Sequence, residues 1–372
     1  MKLPPFKLER FFARYEFEAP YLMCCSDCEA LSLKEILAMA DEDTLKMWEG
    51  LTLGYTESQG HPVLREEAAG LYDRIDPDGI LILAPEEGIF IAMNAFLEPG
   101  DHIVSVFPGY QSLFDIALAN GCEVSRWSPE CRGGWRFDVD TLEGLIKDNT
   151  RMIVINFPHN PTGAVISRAD LERIVDMARR RGIFLFSDEM YRHLEYDESL
   201  RPPSACDLYE NAVVLSGMSK AYSLPGARIG WLASGNSDFL KAAASFKDYT
   251  TICSSAPGEI LAIAALRARQ QIVTGNLGII QANLELLDPF FAEYGDIFDW
   301  NIPEAGPIAF PALKGGISSD DFCADLLKEK RVLLLPSSGY DYGTSCFRIG
   351  FGRRNMPEAL SKLRQYMSDH YR

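Results

Sequence analysis

Three polar residues recur at regular intervals in the middle of the chain. Asn160, Asp188 and Lys220 lie 28 and 32 residues apart, about one strand–helix–strand step each. Each follows a short apolar run and so falls on a loop at a strand end. Tyr191 comes three residues after Asp188, and Arg228 eight after Lys220. A desolvated lysine amine titrates low enough to form a Schiff base with a carbonyl. A buried aspartate can hold a pyridine nitrogen protonated, which makes the ring an electron sink. Asn160 and Tyr191 can hydrogen-bond a phenolic ring oxygen, and Arg228 can meet a phosphate. Together these residue types describe a site for pyridoxal phosphate.

The apolar runs that must position them are Ile80–Leu83, His102–Phe107, Arg151–Phe157, Ile183–Phe186 and Ala212–Leu215. Alternating with them are amphipathic stretches, Glu87–Leu97, Tyr110–Asn120, Arg168–Arg181 and Asn236–Lys247. In the third, Leu171, Ile174, Val175 and Ala178 fall on one helical face, and Arg181-Gly182 reads as its end. Continuous apolar strands alternating with helices predict an α/β fold, with a mostly parallel sheet between helices. Ligands of such sheets bind beyond the carboxyl ends of the strands. The chain ends read differently, with helices among short strands at Pro307–Pro311, Arg331–Leu335 and Cys346–Phe351. The sequence predicts a large α/β domain over 46–275. A smaller α+β domain is expected from 1–45 and 276–372 together.

A chain of 372 residues, 47% hydrophobic, buries a sizeable core without disulfides. Its 36 Lys and Arg against 53 Asp and Glu give a net charge of −17. That sign argues against nucleic acid or an anionic membrane as a partner. No apolar run approaches the roughly 20 residues of a membrane span. The stretch up to Glu18 is charged throughout and lacks a signal-like apolar region, so the protein is read as cytoplasmic. The nine cysteines are read as free thiols. Cys25 and Cys28 have CxxC spacing, but with no second pair or neighbouring histidine no metal site is expected. His159 and His193 read as structural, because the lysine already fills the role of base.

Asn160-Pro161-Thr162-Gly163, Ser187-Asp188-Glu189-Met190-Tyr191 and the stretch from Ser219-Lys220 to Gly230-Trp231 resemble signatures of the class I/II aminotransferases. These are the fold-type-I pyridoxal-phosphate enzymes. Gly54-Tyr55-Thr56 with Gly60 and Leu64-Arg65, Phe107-Pro108-Gly109-Tyr110, and Phe347-Arg348-Ile349-Gly350-Phe351 resemble further strips of that family, in the same order. The resemblance implies a seven-stranded sheet, a homodimer with shared active sites, and amino acid and 2-oxo acid substrates. It also implies roles. Lys220 forms the internal aldimine and then shuttles a proton between Cα and C4′. Asp188 pairs with the pyridine nitrogen, Asn160 and Tyr191 hold the ring oxygen, and Tyr110 stacks on the ring. Arg228 and Ser219 bind phosphate, with Tyr55 contributed by the partner subunit. Arg348 forks onto the substrate carboxylate, a contact lysine would not match.

Two places depart from the family pattern. Three residues before the lysine, where the family often has a hydroxyl, stands Gly217, with Ser216 displaced by one. At Ala84-Pro85-Glu86-Glu87-Gly88 the family starts a helix whose free N–H groups bind phosphate. Pro85 has no N–H, which leaves the Glu86 and Glu87 amides. Their carboxylates are expected to point away from the phosphate, or one of them to meet a cation.

Transamination is the expected reaction. The run through Cys24-Cys25-Ser26-Asp27, the Asn156–Pro161 strip and Lys247–Thr251 are also similar to capreomycidine-synthase-like enzymes, which catalyse elimination and cyclisation. A lyase or cyclase is therefore the alternative. A non-catalytic regulator is disfavoured, because the pattern begins within the first fifty residues and the charge is wrong for DNA. Arg14, Arg132, Arg136 and Arg192 are candidate second cations for a dicarboxylate substrate.

Overall fold

The computed structural model describes residues 2–130 and 134–371. Its centre is a seven-stranded sheet: β1 Ile80–Leu83, β2 His102–Val106, β3 Glu123–Trp127, β4 Thr150–Asn156, β5 Phe184–Asp188, β6 Ala212–Gly217 and β7 Gly230–Ser234. The strand order is β1-β7-β6-β5-β4-β2-β3. Strand β7 runs antiparallel to both neighbours, and the other pairs are parallel. All residues of β1, β2, β5, β6 and β7 are buried, as a sheet covered on both faces requires. Two strands went unread among the apolar runs. In β3, Glu-Val-Ser-Arg-Trp at the sheet edge, only Trp127 is buried, so no apolar run marks it. Strand β7 was quoted only as the tail of the lysine motif.

The register sets up the site. Asn156 pairs with Asp188, Asp188 with Leu215, and Gly217 with Gly230. Strands β4 and β5 therefore end at one level, and β6 runs two residues beyond it. The loops carrying Asn160 and Lys220 leave from the edge where Asp188 ends β5.

The helix Arg168–Arg181 forms where the spacing predicts it. Ser167 caps it by accepting the Asp170 N–H at 3.0 Å, and Gly182 ends it at φ 64°. The predicted apolar face, Leu171, Ile174, Val175 and Ala178, is buried.

Hydrogen bonds join the two chain ends. Tyr21–Leu22 pairs in parallel with Val332–Leu333. The strand Phe347–Gly350 lies between Ile308–Ala309 and Leu335–Pro336. The segment from Met23 to Cys28 is laid on that strand. The Gly350 N–H donates to the Met23 carbonyl at 2.7 Å, and Arg348 Nε to the Cys24 carbonyl at 2.9 Å. A Cβ at Gly350 would stand 2.0 Å from the Cys25 carbonyl oxygen. Glycine is needed here because backbone meets backbone. The helix Arg269–Glu293 crosses the predicted division at 275. Its Asn276 donates to the Ala221 carbonyl at 2.9 Å, and its Asn283 to the Phe351 carbonyl at 2.8 Å. One helix thus fastens the lysine loop to the C-terminal strand. Among the described residues, no helix is long and apolar enough to cross a membrane.

Gly350→Ala is expected to cost about 1–3 kcal/mol through overpacking, read as a lower urea midpoint at unchanged slope. A wild-type midpoint would contradict the close approach of Cys25.

Candidate active site

A cavity of about 250 Å³ lies at the carboxyl edge of the sheet. Of the residues singled out in the sequence, it brings together Pro85, Glu86, Tyr110, Asn160, Asp188, Tyr191, Ser219, Lys220 and Arg228. Lys220 Nζ donates to Ser26 Oγ at 2.9 Å and lies 5.8 Å from the centre of the Tyr191 ring. Burial pushes its pKa below the ordinary lysine value, and the Asp27 carboxylate opposes that. Asp188, the last residue of β5, accepts the Met190 N–H at 3.1 Å. It is 6% exposed and makes no ion pair among the described residues. Burial raises its pKa to about 7, against the Met190 hydrogen bond and the Lys220 charge.

Asn160 is held by three neighbours. Its N–H donates to Asn156 Oδ1 at 2.9 Å, and its Oδ1 accepts from the Tyr340 hydroxyl at 3.0 Å and from Arg348 Nη1 at 3.2 Å. Arginine is only a donor, so the Asn160 oxygen must face it, and the amide N–H groups are left for a ligand. Arg348 is fully buried, and its Nη2 has no partner among the described residues. A guanidinium nitrogen stranded in this way is costly unless an anion completes it. The Tyr191 hydroxyl donates to the Ser26 carbonyl at 3.0 Å.

The two departures from the family pattern touch each other. A Cβ at Gly217 would lie 3.0 Å from Pro85 Cγ and 2.8 Å from Gly230 Cα. The proline ring and the β7 backbone leave no room for a side chain at 217. The two acidic residues that follow Pro85 separate. Glu87 turns to Thr250 and Thr251, accepting the Thr251 hydroxyl at 2.7 Å. Glu86 does not point away: it lines the cavity and accepts the Ser112 hydroxyl at 3.2 Å. Burial raises its pKa to about 7, so it can carry a proton near neutrality and blunt its repulsion of an anion.

Arg228 is exposed, at φ 56°, with Nη1 donating to the Pro225 carbonyl at 2.9 Å. Tyr110 gives its hydroxyl to Glu9 at 2.8 Å. Tyr55 lies outside this cavity and is 92% exposed. His159 sits between the Thr162 hydroxyl and the Pro108 carbonyl, each at 2.7 Å; burial lowers its pKa to about 3, against the Pro108 hydrogen bond, and burial lowers that of His193 to about 3 as well. Arg14, Arg136 and Arg192 do not line the cavity, and Arg132 lies outside the described residues. Cys24, Cys25, Cys28, Cys122, Cys206, Cys253 and Cys323 are free thiols.

Sequence reasoning missed Ser26 and Asp27 as site residues, and with them Glu9, Phe12, Glu16 and Tyr340. Ser26 and Asp27 stand in the sequence within the cysteine cluster and the run similar to capreomycidine-synthase-like enzymes, with no role of their own. Their signal is the pair of glycines, Gly350 and Gly352, that admits this segment: a Cβ at Gly352 would meet the Asp27 carbonyl at 2.5 Å.

The residues present fit pyridoxal phosphate. A buried acid lacks a cation, a low-titrating amine stands in the same cavity, and an unpartnered guanidinium nitrogen lies beside Asn160.

Comparison with known proteins agrees. The family described as aminotransferase class I and II matches residues 33–363. The capreomycidine synthase of Streptomyces vinaceus is 28% identical over 288 residues, 77% of this chain and 73% of that one. The crystal structure of a pyridoxal-phosphate-dependent aminotransferase from Streptococcus suis 89-1591 is 33% identical, with a TM-score of 0.93 over 100% of both chains. A pyridoxal-phosphate-dependent cyclase, OrfR, is 25% identical at a TM-score of 0.89, over 99% of this chain and 98% of that one. The chain therefore belongs to the class I and II aminotransferases and is an enzyme dependent on pyridoxal phosphate.

Proposed function

We propose that this enzyme moves the amino group of an L-amino acid to a 2-oxo acid, working as a cytoplasmic homodimer with Lys220 as its proton carrier. The observation that supports this most is the placement of Lys220 and Asp188 in one cavity, each titrating away from its ordinary value because of burial. Bound pyridoxal phosphate supplies an aldehyde for the amino group and a ring that stores the electron pair left at Cα. The remaining work falls to the chain. Lys220 Nζ, with its pKa lowered, takes and returns the proton at the substrate Cα. The Asp188 carboxylate holds a protonated ring nitrogen. The Asn160 amide donates to the ring oxygen, and Tyr191 joins it by turning its hydroxyl from the Ser26 carbonyl. Tyr110 covers the ring face.

Ser219, Arg228 and the amides of Glu86 and Glu87 hold phosphate at the helix opened by Pro85. Tyr55 reaches the phosphate of the neighbouring subunit, in keeping with its exposure. Arg348 receives the substrate carboxylate on its unpartnered Nη2 and so fixes which Cα bonds face Lys220.

Two outcomes are expected. Given an amino donor alone, the loaded enzyme stops after one half-reaction, and a 2-oxo acid restarts it; Lys220→Ala slows that half-reaction by about 10²–10⁴-fold. Steady turnover without a 2-oxo acid would show a lyase or cyclase, and a wild-type rate in Lys220→Ala would remove the lysine from this role. The second outcome concerns the cofactor-free protein. The folded-state pKa of Asp188, about 7, stands above its ordinary 3.8. Its contribution is favourable below pH ~4 and is lost as pH rises through 7. In urea unfolding at pH 8, Asp188→Asn is expected to be more stable than wild type by up to about 4 kcal/mol. The gap narrows at pH 5, and also when cofactor supplies the missing cation. An equal gap at both pH values would contradict the buried, unpaired acid.

A further inference from the structure

One wall of the cavity comes from the first helix, Lys7–Tyr15, and from Glu16 at its C-terminal end. Four residues of this segment line it: Leu8, Glu9, Phe12 and Glu16. Phe12 has Glu9 three residues before it, and Leu8 and Glu16 four residues to either side, so the four share one helical face. That face offers a strip of hydrocarbon bordered by two carboxylates. Glu9 is half-buried and already accepts the Tyr110 hydroxyl. Glu16 is half-buried, and among the described residues no hydrogen bond reaches its carboxylate. Burial raises its pKa, and the charges of Asp27 and Glu9 add to that, while Arg353 and Lys220 oppose it.

The cations nearby are committed. Arg353 forks onto Asp27, Nη2 to Oδ2 at 2.9 Å and Nε to Oδ1 at 3.2 Å. In the reading above, Arg348 takes the α-carboxylate, Arg228 the phosphate and Lys220 the proton at Cα. Among the described residues lining the cavity, no cation is left for a second carboxylate on the substrate. Such a group would face Glu9 and Glu16 uncompensated, a like-charge arrangement that selects against it. The Arg348 guanidinium carbon lies 5.6 Å from the centre of the Phe12 ring. A substrate anchored by its carboxylate on Arg348 therefore has Phe12 beside its side chain, and a carboxylate within one helical turn of Phe12 on either side.

We propose that the amino donor of this enzyme carries a cation at the end of its side chain, with its methylenes along Leu8 and Phe12 and its charge between Glu9 and Glu16. This deepens the aminotransferase reading and rests on it. Selection works by attraction of the cationic end and by rejection of acidic side chains, and the aromatic face of Phe12 adds a cation–π contact for a charged end that falls short of the carboxylates.

The test uses the holoenzyme and six donors: ornithine, lysine, arginine, norleucine, citrulline and glutamate. Norleucine matches lysine, and citrulline matches arginine, without the charge. Single-turnover rates and equilibrium binding are both read from the change in cofactor absorbance. The best cationic donor is expected to exceed its neutral counterpart at least about tenfold in kcat/KM, with glutamate slowest. Glu16→Gln and Glu9→Gln are each expected to cut the cationic-to-neutral ratio about tenfold, chiefly through KM and with a matching loss of binding preference. Glu9→Gln still offers an oxygen to the Tyr110 hydroxyl, so it tests the charge alone. A neutral donor or glutamate reacting best, or ratios unchanged in both variants, overturns the proposal while leaving transamination standing. If no donor changes the absorbance and borohydride traps no cofactor on Lys220, the aminotransferase reading falls and takes this proposal with it.

Discussion

Burial of charge at one edge of the central sheet governs the rest of the structure. Asp188 is nearly fully buried, and Arg348 fully so. Lys220 stands close by with its pKa lowered by burial. An ionised group removed from water is costly unless charges and hydrogen bonds surround it. The protein supplies only part of that set: one backbone N–H for Asp188, a serine hydroxyl for Lys220, and no partner for one nitrogen of Arg348. In the proposed function a pyridine ring, an aldehyde and a carboxylate would complete what the chain leaves open. The strand register serves this end, because it puts Asn156 and Asp188 at a common level and starts the lysine loop two residues beyond it.

Holding such groups in place takes contacts from far along the chain. The segment from Met23 to Cys28 lies on the strand Phe347–Gly350, and Gly350 allows that contact by having no side chain. The same segment delivers Ser26 to Lys220 and lets Asp27 neutralise Arg353. Pro85 and Gly217 act as a pair: the proline ring occupies space that a residue at 217 would need. Packing therefore excludes a side-chain hydroxyl at that position, and the proposed function leaves the phosphate to backbone amides, Ser219 and Arg228.

Much of the site was legible because its residues are strung on local motifs. Asn160, Asp188 and Lys220 follow apolar strands, and a parallel sheet sends strand ends to one side. The helix Arg168–Arg181 was legible residue by residue, since its cap, its apolar face and its terminal glycine are all local. The edge strand Glu123–Trp127 was not, because only one of its residues is buried. Glu9, Phe12, Glu16 and Ser26 could not be read either. They belong to the chain's N-terminal part and reach the cavity through tertiary contacts, with the C-terminal strand and its neighbours and with Tyr110 and Gln111. The orientation of Glu86 depended on which of two adjacent acids found a partner outside the cavity. Glu87 did so at Thr250 and Thr251, nearly 165 residues away.

In the proposed function the chemistry falls to one lysine, the half-buried Lys220 in the cavity. The chain has a second lysine of similar character. Lys247 is buried and likewise has its pKa lowered, but its amine is tied to the Ser58 carbonyl, with Glu87 and Glu259 nearby. The most direct measurement is to load the protein with pyridoxal phosphate, reduce with borohydride, digest, and locate the modified peptide by mass. A single pyridoxyl group on Lys220 is expected. A pyridoxyl group on Lys247, or one scattered over surface lysines, would contradict it.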